Sequence, residues 1–225
     1  MTYHQTYHHP QSQIPNLDEI YERYFTRFFE QYSGFFVEVG AYDGYSYSNT
    51  SGLADSGWKG IYIEPVFEYY NKCLMRHKNN SVKVINCAIG SIEEQTDLYV
   101  GDYLTTLDPK YVEIYSEIEW SKKIKFNRQK TNKVRLGNLL KQHKVKPNFD
   151  LLVVDVEGFE EDVFSSFDIE YWRPKMIIVE LCDVHFSFQK YNYATTSHKN
   201  LRQKILSNNY KQIFVDHINT VFVCE

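Results

Sequence analysis

Residues 35–44 read Phe-Phe-Val-Glu-Val-Gly-Ala-Tyr-Asp-Gly, and this stretch decides the fold. Its apolar residues predict a strand buried on both faces, and its glycines predict a loop at the carboxyl edge of a sheet. Glu38 is unusual, because a carboxylate in an apolar strand is costly to bury unless cations or hydrogen-bond donors meet it. The stretch lacks the GxGxxG pattern of pyrophosphate-binding loops. It therefore favours a ligand with a cationic amino-acid part and no phosphate, with a structural salt bridge as the alternative.

Four further apolar runs follow, with room for helices between them. They are residues 61–63, 82–88, 151–154 and 176–181. This alternation predicts an α/β fold with a parallel sheet and helices on both faces. The C-terminal runs 210–216 and 220–224 are close enough for a hairpin, which adds one antiparallel strand. Near the N-terminus, the apolar periodicity of residues 17–32 predicts a helix capped by Asn16.

The composition is typical of one globular domain, because 43% of the 225 residues are hydrophobic and 24% are charged. Residues 1–15 are polar and rich in His and Gln, so we expect a disordered leader before a single domain at 16–225. No apolar run approaches the ~20 residues that cross a bilayer, and no signal segment is evident, so neither a membrane span nor export is expected. The widely spaced cysteines predict reduced thiols in a cytoplasmic protein.

A basic block interrupts this acidic chain. Residues 121–148 contain ten Lys or Arg and no Asp or Glu, although the net charge of the whole chain is −4. Most of the block lies in the irregular stretch 101–146, which we expect to form an insertion over the active site. The block is either a solvated surface or a site that attracts an anionic acceptor. If it lies beside a cofactor cleft, it would bind the phosphates of a nucleic acid.

Two further segments carry residues suited to an adenosine ligand. Glu64 ends the second predicted strand, 21 residues after Asp43, where doubly wound folds place a carboxylate that accepts hydrogen bonds from ribose hydroxyls. The alternative is an acid that only precedes a helix. Cys87 and Ala88 follow in the third run, and their small side chains either leave room for adenine or simply pack in the core. Together with the cationic part expected at Glu38, these residues predict S-adenosylmethionine as the cofactor.

Acidic residues also end the fourth and fifth predicted strands. Asp155 and Glu157 follow the fourth strand, and Glu180, Asp183 and His185 follow the fifth. Because the carboxyl ends of neighbouring parallel strands meet at one edge, these groups belong near the reacting atoms. In one route, Asp155, Glu157 or His185 acts as a general base. In the other route, Asp155, Glu180 and Asp183 bind Mg²⁺ or Mn²⁺. Ordinary capping and loop acids would give the same pattern.

The order of these motifs resembles that of the FkbM-type methyltransferases. The matching segments are residues 36–44, 48–50, 57–60, 63–65, 155–160 and 174–180, within a resemblance that covers residues 34–224. It implies a Rossmann-like class I methyltransferase fold, with a seven-stranded and mostly parallel sheet, that uses S-adenosylmethionine. Many members of the family O-methylate sugars or glycans.

Carried over by position, the resemblance makes Glu64 the ribose acid and places Asp155 and Glu157 in the family's DxEG motif. The expected residues of the cofactor loop are Glu38, Gly40, Ala41, Asp43, Gly44 and Asn49. We expect an O-methyltransferase that modifies a sugar hydroxyl of a glycan, polysaccharide or glycosylated metabolite. An RNA ribose or cap methyltransferase is the alternative, and the intact loop acids disfavour a binding module without catalysis.

Overall fold

The computed structural model describes His9, residues 11–25 and residues 33–225. The strands in this part of the chain are β1 (Phe35–Val39), β2 (Lys59–Ile63), β3 (Val82–Ile85), β4 (Ala88–Ile89), β5 (Glu94–Val100), β6 (Asn127–Val134), β7 (Leu151–Val154), β8 (Met176–Glu180), β9 (Tyr210–Val215) and β10 (Asn219–Cys224). The α-helices are α1 (Leu17–Phe25), α2 (Ser51–Asp55), α3 (Phe67–Arg76), α4 (Pro109–Glu117), α5 (Leu136–Gln142), α6 (Glu160–Ser165), α7 (Ile169–Trp172) and α8 (Asn192–Ser207). Short 3₁₀ turns lie at Asp102–Leu104, Cys182–Val184 and Phe186–Phe188.

The main sheet has seven strands in the order β3-β2-β1-β7-β8-β10-β9. The first five strands in this order are parallel, and β10 is antiparallel to both β8 and β9. The predicted α/β fold with one antiparallel C-terminal strand is therefore confirmed. The progression of the strands along the sheet reverses between β1 and β7, where Val37 pairs with Leu152. In open α/β sheets, this reversal point is where a crevice for ligands opens.

Both faces of the main sheet are covered, because alternate strand residues point to opposite sides. On one face, Val37 and Leu152 belong to a buried cluster with residues of α5, α6 and α8. On the other face, Phe36 and Leu151 pack with residues of α1, α2 and α3. The two apolar layers leave the carboxyl edge of the sheet as the place where polar residues gather.

A second sheet of three strands, in the order β4-β6-β5, corrects the expectation that residues 101–146 are irregular. The run 82–88, expected as one strand, separates into β3 and the start of β4, and β4 pairs with β6. Cross-strand charges explain why so basic a segment forms a strand. Asp97 on β5 forms ion pairs with Arg128 and Lys130 of β6, and Glu94 lies 2.9 Å from Lys133. The acids that meet the basic block therefore come from a strand earlier in the chain.

The N-terminal segment packs against the domain where the structure describes it. Ile14 is buried in the same cluster as Tyr21 of α1, and His9 Nδ1 lies 2.8 Å from Asp18 Oδ1. His9 and residues 11–15 thus differ from the expected disordered leader, because one apolar side chain secures them to the core. Residues 1–8, residue 10 and the predicted continuation of α1 to residue 32 lie outside the described residues. No helix of the described part is long and apolar enough to cross a membrane.

Candidate active site

A cavity of about 460 Å³ opens at the carboxyl ends of β1, β2, β7 and β8. It lies at the point where the strand progression reverses, as expected for a ligand site in this architecture. Residues singled out from the sequence that line the cavity are Glu38, Gly40, Ala41, Asn49, Glu64, Cys87, Ala88, Asp155, Glu157, Glu180 and His185. The fold therefore gathers residues that are far apart in the chain into one cavity.

Gly40 permits the close approach of β1 and β7 on which the cavity is built. Its φ is 87°, in the left-handed region, and a Cβ at this position would lie 1.7 Å from the carbonyl oxygen of Asp155. The backbone N–H groups of Gly40 and Ala41 both donate to the carbonyl of Ile63 on β2. Only glycine fits here, because any side chain would collide with backbone rather than with a movable group.

Glu38 is buried at the end of β1 and is held by hydroxyl groups. Ser48 Oγ donates to its carboxylate at 3.3 Å, and the Thr50 hydroxyl also donates to it. Burial, together with the nearby charge of Asp155, raises the pKa of Glu38 to about 7, although the hydrogen bonds from Thr50 and Ser48 oppose the shift. A cation placed beside this carboxylate would stabilise its charged form. The site therefore suits an ammonium group.

Glu64 directly follows β2 and combines the two roles considered from the sequence. Its carboxylate oxygens accept the backbone N–H groups of Tyr42 and Val66, each at 2.8 Å, so it secures the turn before α3. It also lines the cavity, and each oxygen retains a lone pair for a further donor. Burial raises the pKa of Glu64 to about 8, although the two amide hydrogen bonds oppose the shift. A pair of ribose hydroxyls would supply donors to this buried carboxylate.

Asp43 and Gly44, expected in the cofactor loop, lie outside the lining of the cavity. Asp43 Oδ1 accepts the amides of Tyr45 and Ser46 at 2.9 and 2.7 Å and so closes the turn of the loop. The Gly44 carbonyl lies 2.7 Å from His77 Nε2. Both residues shape the loop from behind, which a sequence motif cannot distinguish from direct contact with a ligand.

Asp155, Glu157 and Glu180 form an acidic cluster at the base of the cavity, with carboxylate oxygens within 4.8 Å of one another. Burial raises the pKa of Asp155 to about 6. Burial and the charges of their acidic neighbours raise the pKa values of Glu157 and Glu180 well above the ordinary range. Three half-buried carboxylates this close share protons or a cation at neutral pH. Glu157 also accepts a hydrogen bond from the Tyr115 hydroxyl.

The oxygen ligands that the structure offers to a metal ion differ from those expected. Asp183 lies in the 3₁₀ turn after β8 and faces α8, where Arg202 donates to its two oxygens at 2.6 and 2.9 Å. Glu157 takes its place beside Asp155 and Glu180. The reason is the turn itself, which directs Asp183 toward α8 and away from the strand ends. Carboxylates of this kind suit Mg²⁺ or Mn²⁺.

His185 lines the cavity, but its hydrogen bonding does not suit a general base. Its Nδ1 accepts the amide of Ser187 at 3.0 Å, so the neutral ring carries its proton on Nε2. Burial and the neighbouring His217 lower the pKa of His185, which favours this neutral form. The ring can therefore donate a hydrogen bond to a ligand. Proton removal is better assigned to the acidic cluster.

A buried network holds the loops that carry these groups. Glu160 Oε1 accepts the amides of Val156 and Gly158 at 3.0 and 3.2 Å. Its Oε2 lies 2.9 Å from His198 Nε2 on α8, and His198 Nδ1 accepts the amide of Cys182 at 2.7 Å. One helix thus joins the loop after β7 to the loop after β8.

The protonation state of His198 follows from this geometry. The hydrogen-bond geometry favours the neutral form, because Nδ1 already accepts an amide proton at 2.7 Å and has no room for a second hydrogen. The Nε2–H group therefore donates to the Glu160 carboxylate.

Exposed aromatic side chains surround the mouth of the cavity, a feature that composition alone did not predict. Tyr47 and Tyr103 lie on one side, with ring centroids 5.8 Å apart. On the other side, the His185 ring stacks on Phe186 at 4.7 Å and lies 6.3 Å from Trp120. Phe186 is 77% exposed, which is unusual for so apolar a side chain. None of the described residues that line the cavity is Lys or Arg, so the basic block stays outside the lining.

Comparisons with known proteins agree with this arrangement. The family described as "Methyltransferase FkbM domain" matches residues 38–211. No curated protein sequence matches the chain significantly.

Solved structures share the fold at low sequence identity. A structure of the METTL16 methyltransferase domain is 12% identical, with a TM-score of 0.50, over 94% of this chain and 69% of that one. The O-methyltransferase from Bacillus cereus, in complex with SAH, is 13% identical with a TM-score of 0.47, over 84% of this chain and 73% of that one. The O-methyltransferase TomG from Streptomyces achromogenes, in complex with SAM, is 12% identical with a TM-score of 0.46, over 84% of this chain and 72% of that one. The likeness to the METTL16 domain thus agrees with the expected Rossmann-like class I methyltransferase fold.

We expect His198→Ala to destabilise the protein strongly, because it leaves the Glu160 carboxylate and the Cys182 amide buried without this partner. Each such loss costs about 1–3 kcal/mol in the free energy of unfolding. Denaturant unfolding measures the change. His143→Ala, at the half-exposed C-terminus of α5, is the matched control and should change stability by less than about 0.5 kcal/mol. Equal effects of the two variants would contradict the role of the network.

Proposed function

The chain belongs to the FkbM methyltransferase family and is an S-adenosylmethionine-dependent methyltransferase, and from this premise we propose that it O-methylates a sugar hydroxyl. The observation that carries the proposal is the acidic cluster of Asp155, Glu157 and Glu180 at the base of the cavity. A hydroxyl is a poor nucleophile at neutral pH and must lose its proton during transfer. The acidic cluster would accept that proton.

The lining of the cavity supports one orientation of the cofactor. Glu64, at the end of β2, would accept the ribose hydroxyls, and Cys87 and Ala88 would lie beside adenine. The amino-acid part would extend toward Glu38, whose raised pKa favours a cationic neighbour. The sulfonium would then lie between the ends of β1 and β7, with its methyl group directed at Asp155.

Asp155 is the best candidate for the group that takes the proton. With its pKa raised by burial to about 6, it is ionised at neutral pH, whereas Glu157 and Glu180 hold protons more tightly. In the reaction, the acceptor oxygen attacks the methyl carbon, the carbon–sulfur bond breaks, and S-adenosylhomocysteine leaves. The hydroxyl proton passes to the Asp155 carboxylate. The protein contributes by aligning the two reactants and by placing this base.

A divalent ion is the second candidate for activating the hydroxyl. The close spacing of the carboxylate oxygens of Asp155, Glu157 and Glu180 supports it, because these three residues would supply oxygen ligands to Mg²⁺ or Mn²⁺. A metal at this place would lower the pKa of a bound hydroxyl.

The mouth of the cavity supports a neutral sugar as the acceptor. Trp120 and Phe186 present exposed aromatic faces there, and such faces stack on the apolar side of a sugar ring. An anionic acceptor or an RNA would need Lys or Arg in the cleft, and the part of the lining that the structure describes contains neither. Glycans, polysaccharides and glycosylated metabolites carry suitable hydroxyls.

Four free cysteines support the accompanying proposal of a cytoplasmic location.

Labelled S-adenosylmethionine tests the acceptor class directly. The protein is incubated with separate pools of neutral glycans, nucleotide sugars and RNA, and the label in each pool is counted. We expect label in the neutral glycans, and alkaline-stable label would indicate an ether rather than an ester. Label confined to RNA would refute the proposed acceptor.

Glu64→Ala should weaken S-adenosylmethionine binding, because the ribose hydroxyls lose a charged acceptor worth about 1.5–3 kcal/mol. Calorimetry measures the affinity, and circular dichroism checks that the variant is folded. Glu68→Ala, on the exposed side of α3, is the matched control and should bind normally. Unchanged affinity in folded Glu64→Ala would rule out the ribose assignment.

Asp155→Asn should lower kcat by about 10²–10⁴, because the amide keeps the shape but takes no proton. In the wild type, kcat should fall as the pH drops through about 6, where Asp155 becomes protonated. Asp97→Asn on β5 is the control and should keep normal kcat. If chelators abolish activity and Mg²⁺ or Mn²⁺ restores it, the metal route operates. Normal turnover by Asp155→Asn would exclude both routes through this residue.

Trp120→Ala should raise the KM for a glycan acceptor several-fold and leave the affinity for S-adenosylmethionine unchanged, since the ring lies at the mouth of the cavity. Trp120→Phe keeps an aromatic face and should restore much of the affinity. The joint change of Lys122, Lys123 and Lys125 to Gln is the control for the basic block and should not alter the KM. The reverse pattern, with the lysines important and the tryptophan not, would favour an anionic acceptor.

A further inference from the structure

Gln13 lines the same cavity, although it precedes the whole methyltransferase domain match. It belongs to the N-terminal strap, by which we mean residues 11–15. Other lining residues include Glu38, Ser48 and Asn49, which form the end of the cavity where the amino-acid part of the cofactor is proposed to lie. The strap therefore supplies a residue to the cofactor end of the cavity.

The strap is fixed to the cofactor loop by specific contacts. Ser12 Oγ donates to Asn49 Oδ1 at 2.7 Å, and it accepts the amide of Ile14 at 3.1 Å. Ile14 itself is only 3% exposed, and Tyr21 of α1 donates from its hydroxyl to the Asn49 carbonyl at 2.7 Å. These contacts lie on both sides of Gln13 in the chain. Contacts within the protein therefore set the position of Gln13 at the cavity.

The charges of the cavity explain why a neutral donor is needed there. The carboxylates that line the cavity are Glu38, Glu64, Asp102, Asp155, Glu157 and Glu180, and no Lys or Arg accompanies them among the described residues. The ammonium and sulfonium groups of S-adenosylmethionine suit such a cavity, but its α-carboxylate does not. A negatively charged ligand group in an acidic cavity must be met by N–H or O–H donors.

The side chain of Gln13 meets this need. Gln13 is exposed where it lines the cavity, and its amide carries two N–H donors. We propose that Gln13 binds the α-carboxylate of S-adenosylmethionine through its side-chain N–H groups, so that the N-terminal strap is part of the cofactor site. The inference rests on the cofactor orientation given under the proposed function.

Gln13→Glu tests the contact, because it replaces a donor with a carboxylate of nearly the same shape. Calorimetry compares S-adenosylmethionine with its decarboxylated analogue, which lacks only the α-carboxylate. We expect the variant to bind S-adenosylmethionine about 10-fold or more weakly, as for loss of a charge-assisted hydrogen bond. The decarboxylated analogue should bind equally well or better. Gln11→Glu, in the same strap but outside the lining, is the matched control and should change neither affinity.

Two outcomes would overturn the inference. One is an equal loss of affinity in Gln13→Glu and Gln11→Glu, which would indicate a general effect of negative charge. The other is an equal loss for both ligands in Gln13→Glu, which would indicate damage to the strap rather than a lost carboxylate contact. Binding of 5′-methylthioadenosine, which has no amino-acid part, reports separately on the adenosine site. Its failure to bind the wild type would count against the proposed cofactor orientation instead.

Discussion

The close approach of β1 and β7 at Gly40 is the constraint on which the site depends. The space for a side chain at this position is filled by the carbonyl oxygen of Asp155, so the two strand ends are locked together. Because the chain leaves these neighbouring strands in opposite directions along the sheet, the loops beyond them separate and open a cavity. Glu38 from one strand and Asp155 from the other then face the same space, close enough for their charges to interact.

That geometry concentrates negative charge where water is scarce, which is costly in the absence of a ligand. The raised pKa values of Glu38, Glu64 and Asp155 express this cost. A cofactor with both an ammonium and a sulfonium offsets it. After methyl transfer the sulfur is neutral, so the product offsets less of the negative charge than the substrate did. The same acidity that favours the substrate therefore favours release of the product.

The sequence predicted most of the main sheet, because strands buried on both faces are continuous apolar runs, as in residues 151–154. It also predicted the strand-end acids, since their place follows from chain direction. The second sheet was missed because β6 is held by partners that no local pattern reveals, such as Asp97. Asp183 was misplaced for a related reason. Its partner Arg202 lies on α8, and the turn that joins the two is visible only in three dimensions.

Helix α8 shows why residues far along the chain matter for the reaction. Methyl transfer requires an almost linear arrangement of oxygen, carbon and sulfur, and displacement of a catalytic group by about 1 Å can cost 100-fold in rate. Glu157 has a φ of 54°, which is a strained conformation for a residue with a side chain. Contacts from outside the loop are needed to maintain such a conformation. His198 and Arg202, one turn apart, fix that loop and the one after β8 to a single rigid helix. The strained backbone conformation at Glu157 is therefore tolerated only because helix α8, which is remote in sequence, holds the loop in place.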